Sequence, residues 1–551
     1  MAALCLLLLF PLAHAFNLTK FPVPDIPDAY YNLPPNALFV ALNGEDTNAG
    51  TRAAPLRNLR TALERVEENG AIVLRGGLYY NVSLGEITKL GVTIQPFRHE
   101  RVYLLGSVLV EGWTKAGANW AVEWSNPFAA YQPDAACTQL DDTGFKCRPE
   151  QVFVGGEPLT QVGAESAVKK GTFFVDNAAG RLLIGSDPTG RTVEASVQEN
   201  ALVFTESAHQ ASIYGIGFAQ YGSHLGSGAV ISSSELGVFY YSSFVQNAGD
   251  GLMLNGSSLQ DVRDCLLNYN GMRGFYGKKA SDLLFTSNSV DFNFQRAPNF
   301  AACTGDSCLL AAADIGHPEN GVVSVLANTF HSNRANGLRV TVGAPSDVTR
   351  NFARGNTLAG FVFARANDGV FASNVAVNNA VGMHVISCPG AFVYNNDLVG
   401  NKQGLVVTAT PPTKNSLVRV RNNLFSNNLE RQLSVTAATQ ADLATTFGIF
   451  DHNGYYQRNA TGTRPFQWGN QTFVYHAGFV AACGFDKAPP SIDIRNQAAQ
   501  PFFVNEGAGN YNLRPTSVAV KKGAQLPERI ALALGVKATP VNMGALKWRG
   551  Q

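Results

Sequence analysis

The sequence predicts an all-β protein wound as a parallel β-helix, with one short helix at its N-terminal end. Three features support this prediction: a repeat of about 23 residues, a short alternating run that closes each repeat, and an Asn that recurs at the same place in it. Two-helix repeats need about 33 residues or more, whereas a coil of three short strands and three turns fits the shorter unit.

The repeated phrase starts at an Asn, passes through apolar residues to a second Asn and a Gly, and ends in an alternating run, as in NTFHSNRANGLRV (328–340). The first Asn falls at positions 288, 328, 351, 374, 396 and 422. Asn tolerates left-handed backbone and its amide can bond to an Asn one coil away, so we predict stacked turn residues. The long step from 288 to 328 requires an inserted loop and strand within 294–321.

The alternation at the end of each repeat predicts which side chains face outward. The repeats align on Gly251, Gly274, Gly337, Gly360, Gly382 and Gly404, and the residue after each Gly is apolar. Successive strand residues point to opposite faces, so that residue faces the core and the next one faces out. The predicted outward positions are Met253, Tyr276, Arg339, Val362, His384 and Val406.

The stretch PLRNLRTALERVEENG (55–70) predicts the short helix. Pro stands at its start, Gly at its end, and apolar residues recur at helical spacing at Leu56, Leu59, Leu63 and Val66. An amphipathic helix here covers the open end of the solenoid and protects its edge strands.

Two regions interrupt or follow the repeats. Residues 113–204 hold GTFFVDNAAGRLLIG, two alternating strands around an Asn/Gly turn, which indicates a β-rich insertion. The predicted organisation is a signal peptide (1–15), a cap with the first coils (36–112), the insertion (113–204), the main β-helix (205–429) and a C-terminal flank (430–551).

The N-terminus predicts secretion to the cell exterior, wall or matrix. The run MAALCLLLLFPLAHA ends in small residues that suit signal-peptidase cleavage, and it is too short to span a bilayer. Two cysteine pairs close in sequence, Cys137 with Cys147 and Cys303 with Cys308, then predict local disulfides. The predicted N-glycosylation sites are Asn17, Asn81, Asn255, Asn459 and Asn470.

The composition and net charge of the chain argue against some classes of partner. Charged residues make up 15% of the chain and the net charge is +1, and no Lys/Arg-rich run or nucleic-acid motif occurs. This argues against a phosphate-binding surface and nucleic acid as a partner. No stretch after the leader is long and apolar enough to predict membrane insertion.

Several framework motifs resemble a known family. The run FVALNGEDTNAGT (39–51), the short helix and IVLRGGLYY (72–80) resemble the opening of secreted right-handed parallel β-helix proteins of the pectin-lyase-like superfamily. Further similar stretches are VYLLGSVLVEGWTK (102–115), GRLLIGSDPTGRTVEASVQENALVF (180–204), YNLRPTSVAVKKGA and PVNMGAL. The resemblance covers nearly all of the mature chain. It implies a right-handed coil and a polysaccharide partner, since the enzymes of the family are mostly polysaccharide lyases, epimerases and hydrolases.

Polar and charged residues that occur in single repeats, at outward positions or just before the aligned glycines, predict a groove for an acidic polysaccharide. The candidate catalytic residues are Arg273, Tyr276, Lys278, Arg339 and His384, and the candidate substrate-binding residues are Asp250 and Asn336, which precede aligned glycines. In β-elimination a cation neutralises the uronate carboxylate, a base removes the acidified proton and an acid assists the leaving oxygen. Lys278 or Arg273 is the candidate base, so the leading prediction is a polysaccharide lyase.

Other functions remain open at this stage. Asp306, Asp314 and Glu319 cluster with His317 in the insertion. The cluster is a calcium site, which makes Ca²⁺ the predicted cofactor, an acid–base group, or a polar loop that caps its own turns. A glycoside hydrolase needs two carboxylates about 5–9.5 Å apart, and no paired aspartates occur in the repeats. The Asp-Pro-His-Asp motif of alginate epimerases is missing, and the strand LLAAAD carries no basic residue. A glycan-binding or matrix protein without activity is therefore the main alternative, with a hydrolase or uronate epimerase as a third.

Overall fold

Three long sheets form the walls of a solenoid, and each coil adds one strand to sheet A, then to sheet B, then to sheet C. The computed structural model describes residues 26–132, 148–224, 226–296, 310–316, 321–341, 346–409, 417–460, 463–485, 491–497 and 499–546. Neighbouring strands from successive coils are parallel. The predicted parallel β-helix is thereby confirmed.

Sheet A has thirteen strands: β1 (Leu38–Val40), β2 (Ala71–Leu74), β5 (Thr93–Pro96), β17 (Ser212–Tyr214), β20 (Val238–Tyr240), β23 (Ser258–Arg263), β25 (Ser281–Thr286), β27 (Val323–Leu326), β30 (Ser346–Thr349), β33 (Val370–Ala372), β36 (Phe392–Tyr394), β39 (Val418–Arg421) and β42 (Phe447–Asp451). Sheet B consists of β3 (Gly77–Tyr79), β6 (Val102–Leu105), β18 (Ile216–Ala219) and β21 (Ser243–Val245), then β28 (Thr329–His331), β31 (Phe352–Arg354), β34 (Val375–Val377), β37 (Asp397–Val399), β40 (Leu424–Ser426), β43 (Gly454–Gln457) and β46 (Ile492–Arg495). Single bridges through Leu266 and Ser289 join its two parts.

Sheet C carries the alternating runs of the repeat. Its strands are β4 (Glu86–Ile87), β16 (Leu202–Phe204), β19 (Gly228–Ser232), β22 (Asp250–Asn255), β24 (Phe275–Lys278), β26 (Ala311–Gly316), β29 (Asn336–Thr341), β32 (Ala359–Ala364), β35 (Val381–Ile386), β38 (Gln403–Ala409), β41 (Arg431–Ala437), β44 (Phe466–Trp468) and the antiparallel β45 (Gln471–Phe473). Strand β26 belongs to the inserted coil between positions 288 and 328.

Two ladders of buried Asn hold successive coils together. One lies between sheets A and B at Asn288, Asn328, Asn351, Asn374, Asn396, Asn423 and Asn453; the other lies between sheets B and C at Asn247, Asn270, Asn293, Asn333, Asn356, Asn379, Asn401 and Asn428. In each ladder an Asn side-chain oxygen accepts bonds from the backbone and side-chain N–H groups of the Asn in the preceding coil. The first ladder passes through Asn423, not Asn422 as predicted, because Asn422 occupies the left-handed turn position before it.

The aligned glycines are required because neighbouring coils approach closely. A Cβ added at Gly360 would lie 2.9 Å from the carbonyl oxygen of Gly382 and 3.0 Å from the side-chain nitrogen of Asn379. Any larger residue would therefore push against the backbone of the next coil and the second Asn ladder.

The two ends of the core are covered. Helix α1 (Leu59–Arg65) buries Leu59 and Ala62 against the first coils, which confirms the predicted capping helix. A short helix α2 (Gln440–Ala444) follows β41, and α3 (His476–Cys483) buries Phe479 beside Trp468 at the other end. No helix in the described ranges is long and apolar enough to cross a membrane.

A β-rich insertion leaves the solenoid between β6 of sheet B and β16 of sheet C. It contains β7 (Ser107–Leu109), β8 (Thr114–Ala116), β9 (Asn119–Glu123), β10 (Val152–Val154), β11 (Glu157–Pro158), β12 (Thr160–Gln161), β13 (Thr172–Asp176), β14 (Arg181–Ile184) and β15 (Val193–Ser196). The predicted hairpin corresponds to β13 and β14, which pair antiparallel. Near the C-terminus, hairpin β47 (Phe503–Asn505) and β48 (Asn510–Leu513) and helix α4 (Glu528–Ala533) pack on the outer faces of sheets B and A.

The predicted modification sites are described in part. Asn81, Asn255, Asn459 and Asn470 are exposed, while Asn17 and the leader lie outside the described residues. Cys137, Cys147, Cys303 and Cys308 also lie outside them, so the two disulfides stay predictions. Cys265 and Cys388 are buried in the core.

Candidate functional site

One row of outward-facing side chains crosses the middle of sheet C. The strand register places Met253, Tyr276, Asp314, Arg339, Val362, His384 and Val406 side by side on successive coils. Tyr276, Arg339 and His384 thus share one position, as the alternation predicts. The inserted strand β26 adds Asp314 to the row, between Tyr276 and Arg339.

Four charged side chains on four neighbouring coils, Asp250, Arg273, Asp314 and Arg339, form a continuous chain that we call the charged cluster. Asp250 Oδ2 lies 3.0 Å from Arg273 Nη1, and Arg273 Nε lies 3.4 Å from Asp314 Oδ2. Arg339 holds Asp314 with two bonds, Nε to Oδ1 at 2.7 Å and Nη2 to Oδ2 at 3.0 Å. Paired Arg–carboxylate bonds of this kind fix the plane of both groups.

The carboxylates of the charged cluster are more deeply buried than its guanidinium groups. The side chains of Asp250 and Asp314 are 0% exposed, that of Arg273 is 8% exposed and that of Arg339 is 20% exposed. Burial raises the pKa of Asp250, against the opposing charge and hydrogen bonds of Arg273. The carboxylates therefore lie behind the surface, where they orient the two guanidinium groups.

Arg273 is held in its charged form. Burial alone would lower the pKa of its guanidinium, but the charges of Asp250 and Asp314 outweigh that effect and the pKa is raised. The guanidinium also stacks on the ring of Tyr276, 4.0 Å from its centroid. Arg273 is therefore suited to position Asp250, Asp314 and Tyr276, and poorly suited to accept a proton.

Tyr276 and Lys278 present reactive groups beside the charged cluster. Tyr276 is partly exposed, and burial raises the pKa of its phenol, with Arg273 acting in the opposite direction. Lys278 is exposed two residues further along the same face of β24. Its cross-strand neighbours are Asn255 and Gly316, and the missing side chain of Gly316 leaves open space on one flank.

Asn336 and His384 do not join this group. The inserted strand places Ala311 between the coils of Arg273 and Asn336, and the Asn336 amide bonds to the backbone of Leu310 and Ala359. His384 is separated from Arg339 by Val362. Its Nε2 lies 3.0 Å from Thr408 Oγ1.

His384 gives a pH-dependent prediction. Burial lowers the pKa of its imidazole from 6.5 to about 4, so the unfolded chain binds the proton more readily than the folded one. The stabilisation is complete above pH 6.5 and is lost as the pH falls towards 4, by on the order of 3 kcal/mol in the free energy of unfolding. We expect His384→Gln to reduce this pH dependence when denaturant unfolding is followed between pH 7 and pH 4. An equal loss in both proteins would contradict the assignment.

The predicted metal site is described only at Asp314. Asp306 and Glu319 lie outside the described residues, and Asp314 is occupied by Arg273 and Arg339. Within the part of the chain that the structure describes, no three His, Cys, Asp or Glu side chains come together in a way that could hold a metal ion. Calcium remains a prediction.

Comparisons with known proteins agree with the fold. A family model described as a right-handed β-helix region matches residues 315–473. Pectate lyase PEL9 of Emericella nidulans is 36% identical over 75 residues, which is 14% of this chain and only 18% of the length of that protein. XylC, solved in complex with xylose, superposes with a TM-score of 0.58 at 12% identity, over 86% of this chain and 88% of that one.

A second solved structure, pectate lyase Pel9A, covers 93% of this chain and 96% of its own, at 13% identity and a TM-score of 0.43. Similarity at these identities concerns the fold. The family match, the three-sheet solenoid and the Asn ladders agree with each other and with the framework motifs of the sequence. The chain therefore has the right-handed parallel β-helix fold, and its framework motifs resemble those of the pectin-lyase-like superfamily.

Proposed function

We propose that this protein is a carbohydrate-active enzyme that cleaves an acidic polysaccharide by β-elimination on the outer face of sheet C, outside the cell. One observation carries the proposal. The two carboxylates of the charged cluster are fully buried, whereas the accessible groups beside them are the guanidinium of Arg339, the phenol of Tyr276 and the amine of Lys278. A surface of this kind attracts an anionic sugar chain.

Each accessible group has a task in the elimination. Arg339 pairs with the uronate carboxylate, which makes the proton on the adjacent carbon more acidic. Lys278, in its neutral form, takes that proton, and the electron pair of the broken C–H bond forms the new carbon–carbon double bond. The glycosidic C–O bond breaks as the phenol of Tyr276 gives its proton to the leaving oxygen.

Hydrolysis fits the geometry less well. Glycosidases place two carboxyl groups about 5–9.5 Å apart on either side of the bond they cleave, and both must reach the sugar. Asp250 and Asp314 are 0% exposed, and Arg273 lies between them. This arrangement supports an orienting role for the two acids.

Replacement of Lys278 tests the proposal. We expect Lys278→Ala to lower kcat/KM by about 10²–10⁴-fold, because a positioned base contributes a factor of that size. The assay follows the ultraviolet absorbance of the unsaturated product with pectate, alginate and sulfated glycosaminoglycans, with and without calcium. Lys279→Ala is the matched control, since Lys279 is the next residue and is also exposed but follows the strand.

Two results would reject the proposal. The first is a wild-type protein that produces no absorbance change with any polymer. The second is a Lys278→Ala protein that is as active as Lys279→Ala.

A further inference from the structure

A second polar cavity lies on a different face of the solenoid. It has a volume of about 620 Å³ and opens between the outer face of sheet B and the C-terminal hairpin β47–β48. Its floor comes from the outward row Arg354, Val377, Val399, Ser426 and Tyr456 on successive coils, of which all except Ser426 line the cavity. Pockets that bind small molecules have volumes of about 300–1,000 Å³, so the cavity is large enough for a ligand.

Aromatic packing fixes the hairpin over sheet B. Tyr511 of β48 contacts Phe352 of β31 with ring centroids 6.2 Å apart, and Phe502 contacts Tyr456 of β43 at 6.4 Å. Tyr511 and Phe502 are largely buried with the outer face of sheet B. The cavity is therefore a built feature with a fixed roof.

The charge of the cavity is positive. Arg354, Arg458 and Arg514 line it, and among the described residues none of the three forms an ion pair. Glu506 also lines it, but its carboxylate accepts bonds from Ser426 Oγ at 2.9 Å, from Asn427 Nδ2 at 3.1 Å and from Gln500. Three cations thus face one carboxylate whose oxygens are already bonded to other groups.

The positive charges of two arginines affect the pKa of two tyrosines in the cavity wall. Burial raises the pKa of Tyr511 and of Tyr456, and the charges of Arg354 and Arg458, respectively, act against that rise. Arg354 and Arg458 therefore each lie close to a tyrosine whose ring packs into the wall of the cavity. The side chains of Asn378 and Asn427 add amide groups at the same wall.

We propose that this cavity binds a carboxylate-bearing sugar at a site separate from the groove on sheet C. The guanidinium group matches a carboxylate with two parallel bonds, so the arginines recognise the acid. Side-chain amides such as that of Asn378 pair with the hydroxyl groups of the sugar. The inference stands on the cavity alone and does not require chemistry on sheet C.

The test is equilibrium binding to the full chain, measured by titration calorimetry with D-galacturonate, D-galactose and inorganic phosphate. We use Lys278→Ala as the parent protein, so that turnover on sheet C does not affect the titration. Galacturonate is expected to bind, and the double variant Arg354→Gln/Arg458→Gln is expected to weaken it at least about tenfold. Both residues are exposed, so the variant should fold, and its melting temperature checks this. Arg365→Gln is the control, because Arg365 is exposed at the corner after β32 of sheet C.

Three outcomes would overturn the proposal. Galacturonate fails to bind the parent, or it binds the double variant as tightly as the Arg365→Gln control. In the third, galactose or phosphate binds as tightly as galacturonate, which would show that the acid and the sugar ring are not recognised together. Loss of activity in the elimination assay has no bearing on these results, so the two proposals can fail separately.

Discussion

Replacing Asp314 by Ala is expected to lower the free energy of unfolding by about 3–5 kcal/mol, because removing one partner of a buried ion pair leaves the other charge uncompensated. Asp314 is 0% exposed and pairs with both Arg273 and Arg339. Without it, the buried guanidinium of Arg273 loses one of its two carboxylate partners and keeps the ion pair with Asp250 at 3.0 Å. Chemical denaturation at neutral pH measures the loss.

The same substitution should remove polymer cleavage. Asp314 fixes the plane of Arg339 through two bonds, and Arg339 is the group proposed to pair with the uronate carboxylate. Glu86→Ala is the control, since Glu86 is an exposed carboxylate on strand β4 of the same sheet, and surface changes of this kind usually stay within about 0.5 kcal/mol. An Asp314→Ala protein as stable and active as this control would show that the charged cluster has no role.

The Asn ladder gives the second large effect. Asn374 accepts bonds from the backbone N–H and the side-chain nitrogen of Asn351, both at 3.0 Å, and donates to the carbonyl oxygen of Val348 at 2.9 Å. Each buried group left without a partner costs about 1–3 kcal/mol. We expect Asn374→Ala to lower the free energy of unfolding by about 3–5 kcal/mol, because the backbone N–H of Asn351 loses its acceptor and the oxygens of Val348 and Asn396 each lose a donor.

The matched control is Asn32→Ala. Asn32 is exposed, and its backbone carbonyl accepts a bond from Gln95, whereas its side chain forms no hydrogen bond with the described part of the chain. Guanidinium unfolding of the two variants should give clearly different midpoints. Equal midpoints would mean that the coils are held together by the core and the strand bonds without measurable help from the ladder.

The repeat made the solenoid predictable from the sequence because its requirements fall on residue types with few substitutes. The turn needs Asn for the ladder, and the aligned position needs Gly because a Cβ at Gly360 would lie 2.9 Å from the next coil. The prediction for the first ladder was wrong at one position, where it named Asn422 and the structure has Asn423. The two residues are adjacent asparagines, and the sequence alone does not distinguish them.

The central acid of the candidate site was harder to place. The inserted coil has Ala312 where the other coils have Gly, so an alignment on Gly does not include its strand and leaves Asp314 in the insertion. The alternation of LLAAAD, with Ala313 inward and Asp314 outward, was the signal that could have placed it beside Tyr276 and Arg339. The burial of the Asp314 side chain was not predictable. The alternation shows that this side chain points away from the core, but it does not show which other groups cover it.

The cavity on sheet B was also absent from the sequence prediction. Its floor and roof come from coils and a hairpin that are more than fifty residues apart, as Tyr456 and Tyr511 illustrate. No periodic signal connects them, because the hairpin lies outside the repeat.

The most direct test of the proposed chemistry is the mass of the products formed from a uronate oligosaccharide of defined length. β-Elimination adds no water, so the two product masses should sum to the mass of the substrate, and one product should carry the double bond. Lys278→Ala should leave the substrate intact over the same time. Product masses that sum to the substrate plus one water, or an intact substrate with the wild-type protein, would contradict elimination on sheet C.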